Sequence, residues 1–465
     1  MPFADVASAD LPLRRLLRLS LFQLSVGMSL VLLVGTLNRV MIVELHVPST
    51  LVGVMLAMPL LFAPFRALVG FRSDNHRCAL GWRRVPFIWN GTLLTFAGLS
   101  FMPFALLVLA GKGEAGNLPD WIGLVSAALA FLLAGAGVHI VQTAGLALAT
   151  DLTPPESHAR VVGLMYVTLL LGMLISALIF GALLEEFTPG KLVQVIQGSA
   201  LATVVLNTVA IWKQETRRSW QAVSQDPQPD ITFSRSFAAF CNERHVKRWL
   251  VVIAVGTLAF GMSELMLEPF GGQVLMLSVS ATTKLTALLA GGGLIGFAYA
   301  SYVLSHGQSP YQVSRRGALI GLPAFILVMV SAVASVPALF LLGNFLIGIG
   351  AALFSHGTLT ASMNNAPADK TGMALGAWGA VQASAAGIGI ALSGGLRDLV
   401  NAFLGSGYAG GYYAVYALEI VLLIATVLIA LPLMSSDETA ASRTSAAGNF
   451  GKTKVNTKIS GKVIS

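Results

Sequence analysis

The chain has 465 residues, of which 55% are hydrophobic and only 11% charged, with a formal net charge of +8. A soluble globular domain carries about 25% charged residues, so this composition excludes a string of soluble domains. It equally excludes a disordered chain, because so much apolar surface must be buried, and a mean hydropathy of +0.77 points to lipid as the solvent.

A helix needs about 20 apolar residues to cross the hydrocarbon core. Taken in chain order, the sequence predicts twelve helical spans, at 19–44, 49–70, 85–110, 121–150, 161–184, 191–212, 249–271, 283–305, 317–335, 337–363, 372–396 and 411–434. The segment before them, 1–18, carries Arg14, Arg15 and Arg18. Spans one and two are the least pure, with Arg39, Glu44 and Arg66 inside them or at their edges. Val85–Gly111, Trp121–Thr150 and Leu285–Ser314 contain no Asp, Glu, Lys or Arg. Gly317–Ala368 lacks all four as well and holds two spans, with Ser335-Val336-Pro337 as the turn because Pro opens a helix readily. Backbone groups in lipid must be satisfied within the segment, so the spans are helices; a barrel would show short segments alternating in polarity.

The stretch 213–248 divides the spans six and six. Phe233, Phe237 and Phe240 recur there at helical spacing beside Arg235, Arg244 and Lys247, the pattern of an amphipathic helix on a membrane surface, or else of a plain soluble linker. The sequence thus divides into an N-terminal segment, a six-helix half at 19–212, the linker, a second half at 249–434 and a flexible tail at 435–465.

Counting Lys and Arg by loop sets the orientation. With the N-terminus inside, 24 of the 29 lie on the cytoplasmic side, so both termini are expected there. The net positive charge then coats a face that meets anionic lipid headgroups, and nucleic acid is not an expected partner. The first span is too long for a cleavable signal peptide. Cys78 and Cys241 fall in cytoplasmic loops, as free thiols; neither a disulfide framework nor a Cys-based metal site is expected.

The halves are related. A shift of 213 lays Gly135 and Gly137 on Gly348 and Gly350, Asp151 on Asn364 and Gly163 on Gly376; a shift of 232 lays Arg83-Arg84 on Arg315-Arg316. Repeated six-helix halves around a central site are the pattern of major-facilitator transporters. Gly70, Asp74, Gly81, Arg83 and Arg84, after span two, resemble the inner-loop motif of that superfamily, stretched between Asp74 and Gly81. The second-half counterpart, Ser305-His306-Gly307, lacks the acid.

Longer blocks are more specific. Asn38-Arg39-Val40-Met41-Ile42-Val43-Glu44-Leu45, Pro64-Phe65-Arg66-Ala67-Leu68, Phe71-Arg72-Ser73-Asp74 and Gly81-Trp82-Arg83-Arg84-Val85-Pro86-Phe87-Ile88-Trp89 resemble the PucC/LhaA family. So do Gln142-Thr143-Ala144-Gly145-Leu146-Ala147-Leu148-Ala149-Thr150-Asp151 and Leu267-Glu268-Pro269-Phe270-Gly271-Gly272, and the resemblance runs from about 13 to about 434. It implies a major-facilitator fold in the inner or photosynthetic intracytoplasmic membrane, used to assemble light-harvesting antenna complexes. Bacteriochlorophyll is then the cargo or bound pigment, and the antenna polypeptides and the pigment's synthesis machinery are the partners.

His139 in span four and His356 in span ten lie in span interiors, where ionisable groups are functional candidates. A neutral imidazole nitrogen suits a chlorin magnesium; the alternative is a histidine hydrogen-bonded to a neighbouring helix. Gln142, one turn on from His139, joins them as a pigment-binding candidate. Glu264 and Glu268 share a face of span seven near its outer end, and Arg39 and Glu44 lie at matching depth in span one. Arg39 is expected to pair with Glu268 or Glu264, as a lock or a gate. Gly291-Gly292-Gly293-Leu294-Ile295-Gly296 fits a nucleotide-binding pattern on paper, but it lies inside a span with no preceding strand, so no nucleotide is expected and the glycines serve helix packing. No nucleophile–base pair stands out, and the chain is not expected to be an enzyme. Two functions remain: an assembly factor handling pigment or antenna helices, and an ion-coupled transporter of a small solute. The scarcity of mid-span charge favours a greasy cargo.

Overall fold

The computed structural model describes residues 12–61, 69, 72–73, 81–111, 119–154, 158–215, 244–364, 371–404 and 409–433. Gly70, Asp74, both cysteines, the Phe233–Phe240 pattern and the 435–465 tail lie outside these residues. The described chain forms twelve apolar helices: α1 Leu13–Glu44, α2 Ser49–Leu61, α3 Val85–Leu109, α4 Asp120–Asp151, α5 His158–Leu183, α6 Pro189–Ile211, α7 Arg244–Gln273, α8 Val279–Ser305, α9 Pro310–Val333, α10 Pro337–Asn364, α11 Thr371–Leu404 and α12 Ala409–Leu433. All but α2, described only as far as Leu61, are long and apolar enough to cross a bilayer. The end of the bundle where α1 begins is here called the N-terminal face, and the end where Glu44 lies the far face.

Two boundaries differ from the sequence reading for visible reasons. The α9 helix starts at Pro310 rather than 317, because Pro fits the first turn and Arg316 donates to Gln308 Oε1 at 2.6 Å. The α11 helix runs on to Leu404 rather than 396, because Arg397 and Asp398 find partners on α2 and α7. The turn at Ser335–Val336 forms as expected, with Ser335 at φ +55 and Pro337 opening α10. A third difference is inside α1, where Val31–Leu37 and Val40–Glu44 are π-helical. Apolar periodicity gives no sign of such a widened turn.

The two halves repeat one packing scheme. In the first, α3 packs on α4, α2 on α4 and α1 on α5; in the second, α9 packs on α10, α8 on α10 and α7 on α11. Across the halves, α2 packs on α11 and α5 on α8. Small residues set these approaches. A Cβ on Gly350 would sit 2.8 Å from the Gly317 carbonyl, and one on Gly137 would strike Gly91 and Thr95 in the matching place. Lipid gives helices no hydrophobic reason to associate, so such backbone proximity is what holds the pairs together.

Many hydroxyls fold back onto their own helix, as Thr92 onto Ile88 O, Ser199 onto Val195 O and Thr203 onto Ser199 O. The outer surface is left to side chains such as Phe104, Leu201, Ile295 and Leu428, each more than half exposed. Trp212 at the N-terminal face and Trp121 at the far face are also exposed, as interfacial tryptophans are.

Candidate functional site

A cavity of about 680 Å3 lies between the halves, within the roughly 300–1,000 Å3 usual for small-molecule sites. Its walls come from α1, α2, α4, α5, α7, α10 and α11, and most of them are aliphatic or aromatic. A side void of about 250 Å3 opens between α5, α7, α8, α10 and α11, sharing Tyr166, Phe260, Glu264, Ser355, Trp378 and Gln382 with the large cavity. A third, of about 120 Å3, lies between α1, α7, α8 and α10. Glu264 lines all three, and it is the one acid among the described residues lining the two larger.

The structure brings some of the expected residues together and separates others. His139 and Gln142 line the large cavity from α4, and His356 lines the side void from α10. The His356 ring stacks at a tilt 4.3 Å from Phe297, its Nε2 is 3.5 Å from Ser301 Oγ on α8, and its Nδ1 is buried without a partner. Phe297 in turn stacks on Tyr166, so the two halves meet along an aromatic wall. Trp378 and Gln382, one turn apart on α11, were not expected from the sequence. Trp378 Nε1 donates to Thr358 Oγ1 at 3.1 Å and Gln382 Nε2 to Ser355 Oγ at 2.8 Å, which fixes both against α10. A glutamine inside an apolar span was the available signal for this wall.

The expected cross-helix pairing of Arg39 is corrected. Arg39 pairs with Glu44 in its own helix and donates to Leu277 O at 3.2 Å, rather than pairing with Glu264 or Glu268. Glu268 instead accepts from Thr286 of α8, and its Oε2 is buried without a partner. The face of α1 that meets α7 is Asn38's, which donates to Leu265 O at 3.0 Å.

At the far face the structure places a knot of polar side chains that the sequence reading missed. Arg397, 5% exposed, donates to Ser49 Oγ, to Gln273 Oε1 at 2.6 Å and to Asp398 Oδ1 at 3.0 Å. Its guanidinium lies 4.6 Å from the centroid of the Tyr412 ring, whose hydroxyl donates to the same Gln273 Oε1 at 2.8 Å. Asp398 accepts from Thr50 N at 2.7 Å and Thr50 Oγ1 at 2.8 Å at the start of α2. Four helices are tied here.

At the N-terminal face, Gly81 has φ +76, a conformation that favours glycine. Beyond it, Arg83 and Arg84 both reach Asp151 Oδ2, at 2.7 and 2.9 Å, and Arg84 donates to Ser73 Oγ at 2.6 Å. Glu215 accepts from the backbone N–H groups of Arg83, Arg84 and Val85 at 2.7, 3.0 and 2.9 Å, capping α3 with a charge that suits a helix N-terminus. Among the described residues no group of three His, Cys, Asp or Glu side chains is placed to hold a metal ion.

Twelve apolar helices in two matching halves around a central cavity define a multi-pass membrane protein with the fold of major-facilitator transporters. The solved structure of a POT family transporter with a thioalcohol-conjugated peptide is similar, at a TM-score of 0.66 and 15% identity, covering 92% of this chain and 96% of that one. At that identity the likeness concerns the fold. Residues 36–438 match the family described as PUCC protein. Protein PucC of Rhodovulum sulfidophilum is 59% identical over 404 residues, covering 86% of this chain and 88% of that protein. Protein PucC of Rhodobacter capsulatus is 57% identical over 439 residues, covering 93% and 95%. A more distant relative, at 28% identity over 428 residues, is named bacteriochlorophyll synthase 44.5 kDa chain, also from Rhodobacter capsulatus, and the match covers 91% of this chain and 96% of that one. The chain belongs to the PucC family.

Proposed function

We propose that the protein is an assembly factor for bacterial light-harvesting antenna complexes, which holds bacteriochlorophyll in the central cavity for delivery to antenna polypeptides. The observation that carries this reading is the cavity itself: about 680 Å3, mostly apolar, with an imidazole on its wall and Glu264 its one acid among the described lining residues. An apolar macrocycle is at home on the mostly apolar wall, whereas a sugar or organic ion would find polar partners only at scattered points such as Gln142, Thr257 and Gln382. His139 and His356 line the adjoining voids from opposite halves, so each is placed to offer a ring nitrogen to the chlorin magnesium. The Trp378 and Phe260 rings, shared by both voids, supply flat apolar surface. In this reading the N-terminal face is cytoplasmic, where its basic loops meet anionic lipid and the pigment's synthesis machinery. The family and the name of the distant relative support a photosynthetic setting.

The second reading, an ion-coupled transporter of a small solute, draws on the fold and on Glu264. An absorption spectrum of the full chain purified from pigmented cells separates the two. Bound bacteriochlorophyll is expected in the wild type and is lost or reduced at least tenfold in His139→Ala combined with His356→Ala. A colourless protein that moves a polar solute across vesicles refutes the assembly reading.

A further inference from the structure

The 120 Å3 void beside Glu264 has a chemistry different from the rest of the cavity system. Its polar lining is Glu264, Glu268, Thr286, Ser263 and Asn344, and all but one of their hydrogen-bond donors are engaged. Ser263 donates to Phe260 O at 2.7 Å, Asn344 Nδ2 to Phe340 O at 2.9 Å, and Thr286 to Glu268 Oε1. Apart from the second N–H of Asn344 Nδ2, oxygen acceptors are what remain. Glu268 is 5% exposed with Oε2 unpartnered, while Glu264 is open to the voids. Two carboxylates one turn apart repel unless one of them takes up a proton or a cation lies between them.

The charged groups facing α7 do not supply it in full. From α1 come Arg39 and Glu44, which pair with each other. Lys284 of α8 lays its stem along Gly181 of α5, and Arg397 of α11 is bound to Gln273 at the far face. His356 of α10 lines the neighbouring void. Among the described residues Arg39 alone lies close enough to act on Glu268, and it is already paired with Glu44, so the two α7 acids lack a full counterpart.

The backbone opposite is shaped to the site. The π-helical turn Val31–Leu37 brings Gly35 against the pair, where a Cβ would lie 2.6 Å from Glu268 Oε1 and 3.0 Å from Thr286 Oγ1. Widened turns of this kind recur at functional sites, and acids inside a membrane bundle mark ion pathways. The volume is well above the roughly 10–15 Å3 that one water requires.

From the acceptor-rich lining, the orphaned Glu268 oxygen and the π-turn at Gly35, we infer that this void is a binding site for one monovalent cation, Na+ or a proton, held between Glu264 and Glu268. The site does not depend on the pigment reading.

Equilibrium binding of 22Na+ to the purified full chain in detergent, with choline as the balancing cation, tests it alongside infrared difference spectra on acidification without Na+. Saturable binding of about one Na+ per chain, weakened at least tenfold in Glu264→Gln and in Glu268→Gln, is the result expected if Na+ occupies the site. If the proton does, Na+ fails to bind and the wild type shows a protonated-carboxyl band that Glu264→Gln removes. Gly35→Ala keeps every ionisable group and is expected to weaken either signal about tenfold by crowding the pair. His139→Ala with His356→Ala should leave the cation signal intact even where pigment is lost. A wild type showing neither saturable Na+ binding nor a carboxyl band overturns the inference, as does a signal that survives both Gln variants.

Discussion

Arg397 offers the sharpest test of whether the far-face knot holds the bundle closed. Replacing it with Met keeps much of the stem's volume but removes the hydrogen bonds to Ser49 and Gln273 and the contact with the Tyr412 ring. Hydrogen bonds to a charged group contribute about 1.5–3 kcal/mol each, and a cation–π contact about 0.5–2 kcal/mol. Relief of the arginine's desolvation offsets part of that sum, and breaking a buried ionic network costs about 3–5 kcal/mol in net terms. Asp398 keeps Thr50 N and Oγ1 as donors, and its side chain is 26% exposed, so the low end, about 3 kcal/mol, is expected. For a chain of this length that is a fall in apparent Tm of about 3–6 °C in detergent. A second readout is specific to closure: in a background with Cys78→Ser and Cys241→Ser, a cysteine at Leu56 in the cavity wall should become reactive from the far face once Arg397 is gone. Arg397→Lys should recover charge but not the fork, and so fall between. An unchanged Tm together with unchanged labelling in Arg397→Met would refute the account of the knot as a closure.

Two further outcomes follow from the packing. Gly350→Val should separate α9 from α10, because even a Cβ meets the Gly317 carbonyl at 2.8 Å; a loss of about 1–3 kcal/mol is expected by thermal melt, with Gly163→Val, which meets nothing, as the silent control. Glu215→Gln should weaken the cap of α3 by about 1 kcal/mol, read as faster amide exchange at Arg83, Arg84 and Val85. Equal exchange in both proteins would show that water caps the helix as well.

The spans were legible because charge is costly in lipid: runs such as Gly317–Ala368 have no other home, and the turn at Ser335–Pro337 followed from one proline. The close pairs Gly137–Gly91 and Gly350–Gly317 could be suspected from the repeated glycines, though not which helix each would meet. The histidines stood out in the sequence by their place inside apolar spans, and the structure sets them on adjoining voids. Arg39 was misassigned because its direction depends on a π-turn that leaves no mark in the apolar pattern. The Arg397 knot was missed because its partners, Ser49, Gln273 and Tyr412, are far apart in sequence and individually ordinary. Trp378 and Gln382 became wall residues through hydrogen bonds to Thr358 and Ser355 that only a fixed helix pair reveals.

The π-helical turn of α1 makes the register of that helix a matter of counting. A widened turn holds one residue more than an α-turn, and each residue added or removed rotates everything beyond it by about 100°. Deleting a single residue from Val31–Leu37 would therefore leave composition and hydropathy almost untouched while swinging Asn38 and Arg39 away from Leu265 and Leu277. Substitutions along this stretch alter one contact at a time; a one-residue deletion re-aims the whole far end of the helix. Tolerance to mutation should accordingly diverge here, with conservative exchanges away from Gly35 absorbed and changes of length refused.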